Sequence, residues 1–319
     1  MTPWKILQVD ECSYGCALNI LHNDHDVLVA RARTNVALDR IAAGTADPRA
    51  MVVASQKTPD RGEPDIGACW IEIQPGGTGY VHLPVVELYT APEREACQRE
   101  LLLAAEALAA EAGVVWLQTL IQANPSSEAL LRSQQYWPVS QLLYQAILTA
   151  KVPEELPPLR CTAHPFTPDQ RPQLQQLVQA TYEGSLDCPE MDNKRSTDDI
   201  LASYEAVGNS GTRHWQLIEH EGETIGCLLL AIHEQEEEPR AAPFAELVYW
   251  GIVPQQRGQG LGREIVQIAL SQLRSLNASK LILAVDARNA PALLIYESLG
   301  FFEWLQQQAW GKSLAKRSG

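Results

Sequence analysis

The sequence lacks the features by which membrane, exported and metal-binding proteins are usually recognised. Among its 319 residues, no apolar run approaches the roughly 20 residues of a membrane-spanning helix. The amino-terminal stretch has no basic segment followed by an apolar one, as a secretion signal would. The seven cysteines are scattered, odd in number and without a CxxC pair suited to zinc. These absences predict a cytoplasmic protein with no metal ion, no disulfide framework and no membrane partner.

Basic residues are also fewer than acidic residues. The chain has 25 Lys and Arg residues against 39 Asp and Glu residues, which gives a formal net charge of −14. Nonspecific binding to nucleic acid needs clustered basic side chains, so no nucleic-acid partner is expected. The acidic balance agrees with an amine ligand, although it serves solubility equally well. The acidic run at 234–238 is predicted to be the solvated loop of a hairpin.

The most informative stretch that is present is a glycine-rich turn at 257–262, with the sequence RGQGLG. Residues 246–253 before it are apolar and β-prone, and residues 262–276 after it repeat apolar side chains at helical spacing. Such a turn is an anion site, because the first N–H groups of the helix have no intrahelical partner and the helix dipole favours negative charge. Gly260 and Gly262 would let the main chain approach a phosphate closely.

Two common phosphate-binding motifs do not fit this turn. It holds no lysine and is not followed by Gly-Lys-Ser/Thr, which excludes the loop of the nucleotide-hydrolysing P-loop proteins. The dinucleotide fingerprint also fits poorly, because the strand lies late in the chain and lacks a βαβ unit with an acidic residue about 20 positions further on. Neither nucleotide hydrolysis nor dinucleotide binding is therefore predicted.

A second pattern follows the turn. The apolar residues 281–285 predict a buried strand, after which come Asn289, a short helix that carries Tyr296, and Gly-Phe at 300–301. Together, the two patterns resemble the GNAT superfamily of acyl-CoA-dependent N-acyltransferases. The pyrophosphate loop of that family has the form Gln/Arg-x-x-Gly-x-Gly/Ala, which the turn at 257–262 matches. The later motif of the family has the same order of strand, Asn, helix with Tyr, and Gly-Phe.

The resemblance implies an α/β fold in which a mixed central β-sheet carries helices on both faces. The chain is long for one compact domain, and its proline-rich segment 151–158 has no periodicity, which predicts a linker. Two tandem GNAT-like domains are therefore expected, at 1–150 and 159–319. Before its glycine turn, the second is predicted to hold helices over 168–183 and 197–206, and a hairpin of strands 215–219 and 224–231.

The two halves repeat one another at an offset of 165 residues, which sets Asn124 against Asn289. At nearly the same offset, the segment of the first half that corresponds to the glycine turn is 92–97, which includes two glutamates and no glycine. Such a segment could not approach a pyrophosphate, and its charge would repel one. In the same alignment of the two halves, Leu131 occupies the position of Tyr296. The amino-terminal half is therefore predicted to be a degenerate GNAT-like domain without a cofactor site, although the identities behind the repeat are few.

For the carboxy-terminal half, the resemblance implies acetyl-CoA as cosubstrate and direct acyl transfer to a primary amine of a small molecule or a protein. It implies that backbone amides of the glycine turn bind the pyrophosphate and that the main chain of the preceding strand binds the pantetheine arm. The Arg257 side chain would either pair with a phosphate or lie exposed. The residues expected to bind the cofactor are Ile252, Val253, Arg257, Gly258, Gln259, Gly260, Leu261, Gly262, Arg263, Asn289 and Tyr296.

Two side chains are expected to catalyse the transfer. Glu246 lies 14 positions before Gly260, as the general-base glutamate of the GNAT histone acetyltransferases lies before its loop. Desolvation on an apolar strand would raise its pKa toward a useful range. A water relay without a single base is the alternative. Tyr296 matches the family tyrosine whose hydroxyl reaches the sulfur of the leaving thiol, the alternative being a tyrosine that only packs on the sheet.

The acceptor is expected beneath the loop at 184–195, where Asp187 and Glu190 could bind an amine. Cys188 in that loop is expected to be a buried small residue and not a nucleophile. Trp250 would belong either to the core or to the wall of the site. A non-catalytic acyl-CoA sensor or interaction module is the competing function. Either a monomer or a homodimer is expected, and the sequence does not name the acceptor.

Overall fold

The chain forms two compact units. The first consists of Met1–Pro138 together with Ala309–Gly319, and the second of Val139–Gln308. The acidic run at 234–238, predicted to be a hairpin loop, lies outside the described residues except for its first member. The computed structural model describes residues 3–23, 26–56, 63–88, 90–155, 157–191, 194–234 and 242–314.

The first unit is a sheet with helices on both faces. Its elements are β1 (Trp4–Gln8), α1 (Tyr14–Leu21), α2 (Val27–Ala42), β2 (Asp47–Gln56), β3 (Asp65–Gln74), β4 (Thr78–Val86), α3 (Ala91–Glu111), β5 (Trp116–Ile121) and α4 (Pro125–Ser133). The strands lie in the order β1-β2-β3-β4-β5, antiparallel except for the pair β4 and β5. Successive side chains of a strand point to opposite faces, so Met51 and Val53 pack with α1 and α2, whereas Val52 and Ala54 pack with α3.

The second unit has the same layered arrangement. Its elements are β6 (Trp137–Leu148, from Val139 onward), β7 (Thr162–Pro165), α5 (Arg171–Tyr182), α6 (Thr197–Glu205), β8 (His214–His220), β9 (Glu223–His233), β10 (Phe244–Ile252), α7 (Leu261–Gln272), β11 (Lys280–Asp286), α8 (Ala290–Ser298) and β12 (Phe302–Ser313, up to Gln308). The strands β6-β11-β10-β9-β8-β7 are neighbours in that order, and only β10 and β11 are parallel. Leu228 and Leu230 of β9 pack with α7 and α8, whereas Cys227 and Leu229 pack with α5 and α6.

The predicted α/β fold class, with a mixed sheet and helices on both faces, is confirmed. The first predicted helix is a 3-10 turn, Pro168–Gln170, followed by α5, and the second is α6, whose capping residue Ser196 accepts a hydrogen bond from the Asp199 N–H at 3.1 Å. The predicted hairpin is formed by β8 and β9. The four-residue strand β7 was not predicted, because so short a segment at the end of the sheet order carries little periodicity.

The parallel strands β10 and β11 separate soon after they begin. They pair at two positions, Ala245 with Leu281 and Glu246 with Ile282. Beyond this point β10 shifts register on its other side, against β9, between Leu247 and Tyr249. The later parts of β10 and β11 are therefore free to line a cavity between them.

The two units differ from the sequence-based division in the strands they contain. The division at 151–158 gives β6 to the first half, but β6 pairs with β11 from Leu148 with Lys280 to Leu142 with Asp286. The end of β12, from Ala309, belongs in turn to the first unit, where Trp310 is buried in the core. Pairing between strands that are distant in the sequence determines to which unit β6 and the end of β12 belong, and local composition does not predict such pairing.

Two further observations concern the described part of the chain. None of its helices combines the length and the apolar character that crossing a bilayer requires. Nor do its His, Cys, Asp and Glu side chains form a group of three or more that could hold a metal ion.

Candidate active site

A cavity of about 500 Å³ lies between the separated strands of the second unit. One wall is β10 from Leu247 to Ile252, and the opposite wall is Ala284 and Val285 of β11. The glycine turn and α8 complete the lining. From these, the cavity takes Arg257, Gly258, Gly260, Leu261, Gly262, Asn289, Ile295 and Tyr296. Most of the residues predicted to bind a cofactor are thus brought together.

The glycine turn leads directly into α7. Gly258 and Gly260 have φ angles of 76° and 82°, in the left-handed region that glycine adopts without strain. Gly260 is the N-cap of α7, and no side chain caps the N–H groups of the first turn. These N–H groups and the positive end of the helix dipole lie at the cavity, which is suited to a phosphate ester.

Gly262 serves a different purpose from the other two glycines. A Cβ atom on this residue would lie 3.0 Å from two ring carbons of Trp250 and 3.2 Å from Cδ1 of Ile295. The absence of a side chain therefore leaves room for the indole of Trp250 between β10 and the helix. Trp250 lines the cavity and also packs against the core, so both predicted locations apply.

Tyr296 lies on α8 with its hydroxyl near Trp250. The indole Nε1 of Trp250 donates a hydrogen bond of 2.8 Å to the Tyr296 hydroxyl oxygen. Burial raises the pKa of Tyr296, the hydrogen bond from Trp250 acts in the opposite direction, and the charge of Asp187 raises the pKa further. The phenol is therefore protonated at neutral pH and is able to donate a hydrogen bond in the cavity.

Asn289 starts the helix that carries this tyrosine. Its Oδ1 accepts a hydrogen bond of 3.3 Å from the Ala292 N–H, which makes it the N-cap of α8. Since Asn289 also lines the cavity, ordering the turn and contacting a ligand are compatible roles for it.

The guanidinium of Arg257 is bound to the main chain of its own unit. It donates to the carbonyl oxygens of Thr181 at 2.8 Å, Glu183 at 2.8 Å, Gly184 at 3.3 Å and Ile252 at 3.0 Å. These bonds tie the end of α5 to the end of β10. The side chain is thus neither simply exposed nor available to a phosphate without giving up carbonyl contacts.

Comparisons with known proteins identify the family to which this part of the chain is similar. Residues 173–301 match the acetyltransferase (GNAT) family. This part of the chain is a GNAT domain. The match runs from α5 to the residues just after α8 and therefore includes the whole glycine turn, Asn289 and Tyr296.

Curated relatives and solved structures extend the comparison beyond the GNAT domain. A mycothiol acetyltransferase of Frankia casuarinae is 30% identical over 159 residues, which are 49% of this chain and 45% of that protein. The chain thus spans about half the length of that relative. A GCN5-related N-acetyltransferase from Sphaerobacter thermophilus covers 98% of this chain and 96% of its own, with a TM-score of 0.62 and 17% identity. A tandem GNAT protein from the clavulanic acid biosynthesis pathway covers 97% and 98%, with a TM-score of 0.54 and 14% identity. At such identities these structures establish the fold.

The other predicted cofactor residues of the GNAT domain have protein partners. The Val253 N–H donates to the Ile225 carbonyl at 2.9 Å, on the β9 side of β10. The Arg263 guanidinium donates to the hydroxyl of Ser298. The main-chain carbonyl oxygen of Gln259 accepts a hydrogen bond of 2.9 Å from Nη2 of Arg160.

Arg160 is a residue of the site that sequence reasoning missed. Besides Gln259, it contacts Glu264, which accepts from Arg160 Nε at 2.7 Å and from the main-chain N–H groups of Arg160 and Cys161 at 2.6 and 3.2 Å. Burial raises the pKa of Glu264, but these hydrogen bonds outweigh burial and lower it. Glu264, in the first turn of α7, therefore holds Arg160 in place, and Arg160 in turn binds the glycine turn. No local pattern links Arg160 to a residue 104 positions later.

Glu246 stands at the paired end of β10, before the strands separate. Its Oε2 lies 2.7 Å from Nε2 of His233, and the ring of His233 stacks on Phe244 at 4.6 Å. Glu246 is not part of the lining of the cavity that holds Tyr296. Of the two predicted catalytic residues, Tyr296 lines this cavity and Glu246 does not.

A second cavity of about 870 Å³ lies between α5, α6 and β10. Three tyrosines form much of its wall. The hydroxyls of Tyr182 and Tyr204 are 2.7 Å apart, the ring of Tyr204 stacks on that of Tyr249, and the Tyr249 hydroxyl is 2.8 Å from Oγ1 of Thr181. Asp187 and Tyr249 line both this cavity and the first one.

The two carboxylates predicted to bind an amine differ in their surroundings. Asp187 accepts a hydrogen bond of 2.8 Å from the Asp286 N–H, and burial raises its pKa. Glu190 accepts from Nη2 of Arg288 at 2.7 Å, and this hydrogen bond lowers its pKa. Only Asp187 is among the residues that line the two cavities. Cys188 is half-buried, and burial raises the pKa of its thiol to about 12, which agrees with an unreactive cysteine.

Proposed function

We propose that this protein is an acetyl-CoA-dependent N-acetyltransferase that transfers the acetyl group directly to a primary amine of a small molecule or a protein. The observation that supports it is the composition of one cavity. The glycine turn at an uncapped helix start, the separated strand β10 and the hydroxyl of Tyr296 all line the same space. An anion site and a buried proton donor at one cavity are what a CoA thioester and its leaving thiol require.

The residues of the site fit acetyl-CoA in a definite order. The N–H groups at the start of α7 would hold the pyrophosphate, because Gly258 and Gly260 leave the turn without side chains there. The separated part of β10, from Leu247 to Ile252, would accommodate the pantetheine arm. Acetyl-CoA supplies an activated acetyl group and a thiolate leaving group. Tyr296 would donate a proton or a hydrogen bond to that sulfur.

One acetyl-CoA per chain is proposed, in the second unit. In the first unit, β4 and β5 pair from Thr78 with Trp116 to Tyr80 with Gln118. At the next position the Thr119 hydroxyl donates to the Val81 carbonyl at 2.9 Å, so a side chain bridges the two strands. The segment before α3 also has no glycine turn. These features support a degenerate first unit, and calorimetry is expected to find one binding site per chain.

A non-catalytic acyl-CoA sensor is the second candidate, since the anion site alone would serve it. The experiment that separates the two candidates follows free thiol release from acetyl-CoA and acetylated product by mass spectrometry, with a panel of primary amines. Desacetylated mycothiol belongs in the panel because relatives carry mycothiol in their names. Acetylated product supports the enzyme. Tight binding of acetyl-CoA without transfer to any amine in the panel would favour the sensor.

A further inference from the structure

We propose that Asp187 accepts the proton of the acceptor amine, a role that the family resemblance assigns to Glu246. The inference rests on the proposed acetyltransferase function. It starts from the arrangement of the two cavities of the GNAT domain, of which one contains Tyr296 and the other is large enough for an acceptor. A base has to stand where an amine in the second cavity meets a thioester in the first.

Among the described residues, Asp187 and Tyr249 line both cavities, and only Asp187 can act as a base. The hydroxyl of Tyr249 is 2.8 Å from Oγ1 of Thr181, and burial raises its pKa well above the ordinary value of a phenol. It is therefore protonated at neutral pH. Asp187 is a carboxylate. Its negative charge raises the pKa of phenols in both cavities, those of Tyr249 and Tyr204 on one side and that of Tyr296 on the other.

The carboxylate of Asp187 is held in place by the elements that also position Tyr296. Its Oδ1 accepts from the Asp286 N–H at 2.8 Å, at the end of β11. The side chain of Asn289, the N-cap of α8, opposes the rise in its pKa. Its own N–H donates to Oγ of Ser185 at 3.2 Å. Base and acid are thus fixed to the same turn between β11 and α8, which sets the distance over which an acyl transfer can take place.

The charges around Asp187 favour a stronger base than an ordinary aspartate. Burial raises its pKa and the neighbouring charge of Asp286 adds to this, whereas the hydrogen bonds and the charge of Arg288 oppose it. Arg288 is itself occupied, at 2.6 Å from Asp286 and 2.7 Å from Glu190. The titratable and charged groups that face Asp187 or line its cavities are Glu183, Cys188, Arg195, Tyr182, Tyr204, Tyr249, Arg257, Asp286, Arg288 and Tyr296.

The protons balance in a simple scheme. Asp187 takes one proton from the ammonium group and leaves a neutral nitrogen, which forms the C–N bond to the acetyl carbon as the C–S bond breaks. Tyr296 gives its hydroxyl proton to the sulfur and recovers one from the nitrogen as the amide is completed. Asp187 then releases its proton to solvent through the second cavity. The overall products are the amide, a free thiol and one proton.

The test compares Asp187→Asn, Glu246→Gln and Asp198→Asn in the full chain, by kcat/KM from pH 6 to 10 with an alkylamine that the wild type acetylates. Asp187→Asn is expected to lose about 100-fold at neutral pH. The loss should shrink as the pH passes the pKa of the amine, because a neutral amine needs no base. Asp198, exposed on α6 and bonded to Arg171 at 3.2 Å, is the matched control and should keep the wild-type profile.

Further readouts separate catalysis from folding. The affinity of Asp187→Asn for acetyl-CoA should be unchanged, and Asp187→Glu, which keeps a carboxylate, should restore the activity at neutral pH even if Asp187→Asn has a lower Tm. A loss of equal size at every pH would show that Asp187 is structural and would overturn the proposal. So would a loss at neutral pH that shrinks at high pH in Glu246→Gln and not in Asp187→Asn. If the wild type acetylates no amine, the proposed function itself fails, and this inference fails with it.

Discussion

The indole Nε1 of Trp250 donates a hydrogen bond of 2.8 Å to the hydroxyl oxygen of Tyr296. Because an indole nitrogen can only donate, the phenol is the acceptor in this pair, and its own hydrogen is left for another partner. Both side chains line the cavity between β10 and β11. The contact therefore fixes the direction in which Tyr296 can deliver a proton.

Replacement of Tyr296 by Phe should lower turnover by about 100-fold and leave the affinity for acetyl-CoA almost unchanged, because the lost hydroxyl acts as the thiol departs. Steady-state kinetics and calorimetry measure the two quantities. Wild-type turnover in Tyr296→Phe, with the chemical step rate-limiting, would reduce the residue to a packing role.

Replacement of Trp250 by Phe should have a smaller effect of the same kind. A hydrogen bond to a neutral group is worth about 1 kcal/mol, so turnover should fall roughly two- to tenfold. A double-mutant cycle provides the control, since Trp250→Phe should cost little further when Tyr296 is already Phe. Fully additive losses would mean that Trp250 acts independently of the tyrosine hydroxyl.

Gly260→Val and Gly222→Val form a matched pair of substitutions. The two glycines have φ angles of 82° and 81°, so a β-branched side chain strains both by about 1–2 kcal/mol. Gly222 lies in the turn between β8 and β9, outside the residues that line the cavity. The two variants should therefore have similar Tm values, whereas only Gly260→Val should lose acetyl-CoA binding. Equal affinities in calorimetry would exclude the glycine turn as the pyrophosphate site.

Arg288→Gln should destabilise the protein at neutral pH by roughly 1.5–3 kcal/mol, because it leaves the buried carboxylate of Asp286 without its charged donor. Burial raises the pKa of Asp286, but the hydrogen bonds from Arg288 outweigh burial and lower it. A carboxylate with a lowered pKa stabilises the fold above its unfolded-state pKa, and this stability is lost as the pH falls through the folded-state value.

The difference in free energy of unfolding between wild type and Arg288→Gln should accordingly shrink as the pH falls below about 4, the ordinary pKa of an aspartate. Urea unfolding at pH 7 and at pH 3 measures it. A difference that is independent of pH would mean that Arg288 stabilises the fold through packing alone.

Local signals account for the part of the structure that was predicted from the sequence. The glycine turn, α7 and the helix that carries Tyr296 depend on neighbouring residues. The contacts that were missed join distant parts of the chain. Arg257 bonds to carbonyls 73 to 76 positions earlier, and Asp187 accepts from an N–H 99 positions later. The catalytic role predicted for Glu246 stays a prediction.

The strand membership of the two units has a practical consequence for protein engineering. Each unit is assembled from residues that the proline-rich segment at 151–158 separates, since β6 precedes this segment and the end of β12 follows it. Expression of 159–319 alone would lack the strand that pairs with β11 and leave the main-chain hydrogen-bonding groups of β11 open to other molecules. Such a fragment would tend to aggregate, and the smallest fragment that retains the intact second unit is Val139–Gln308.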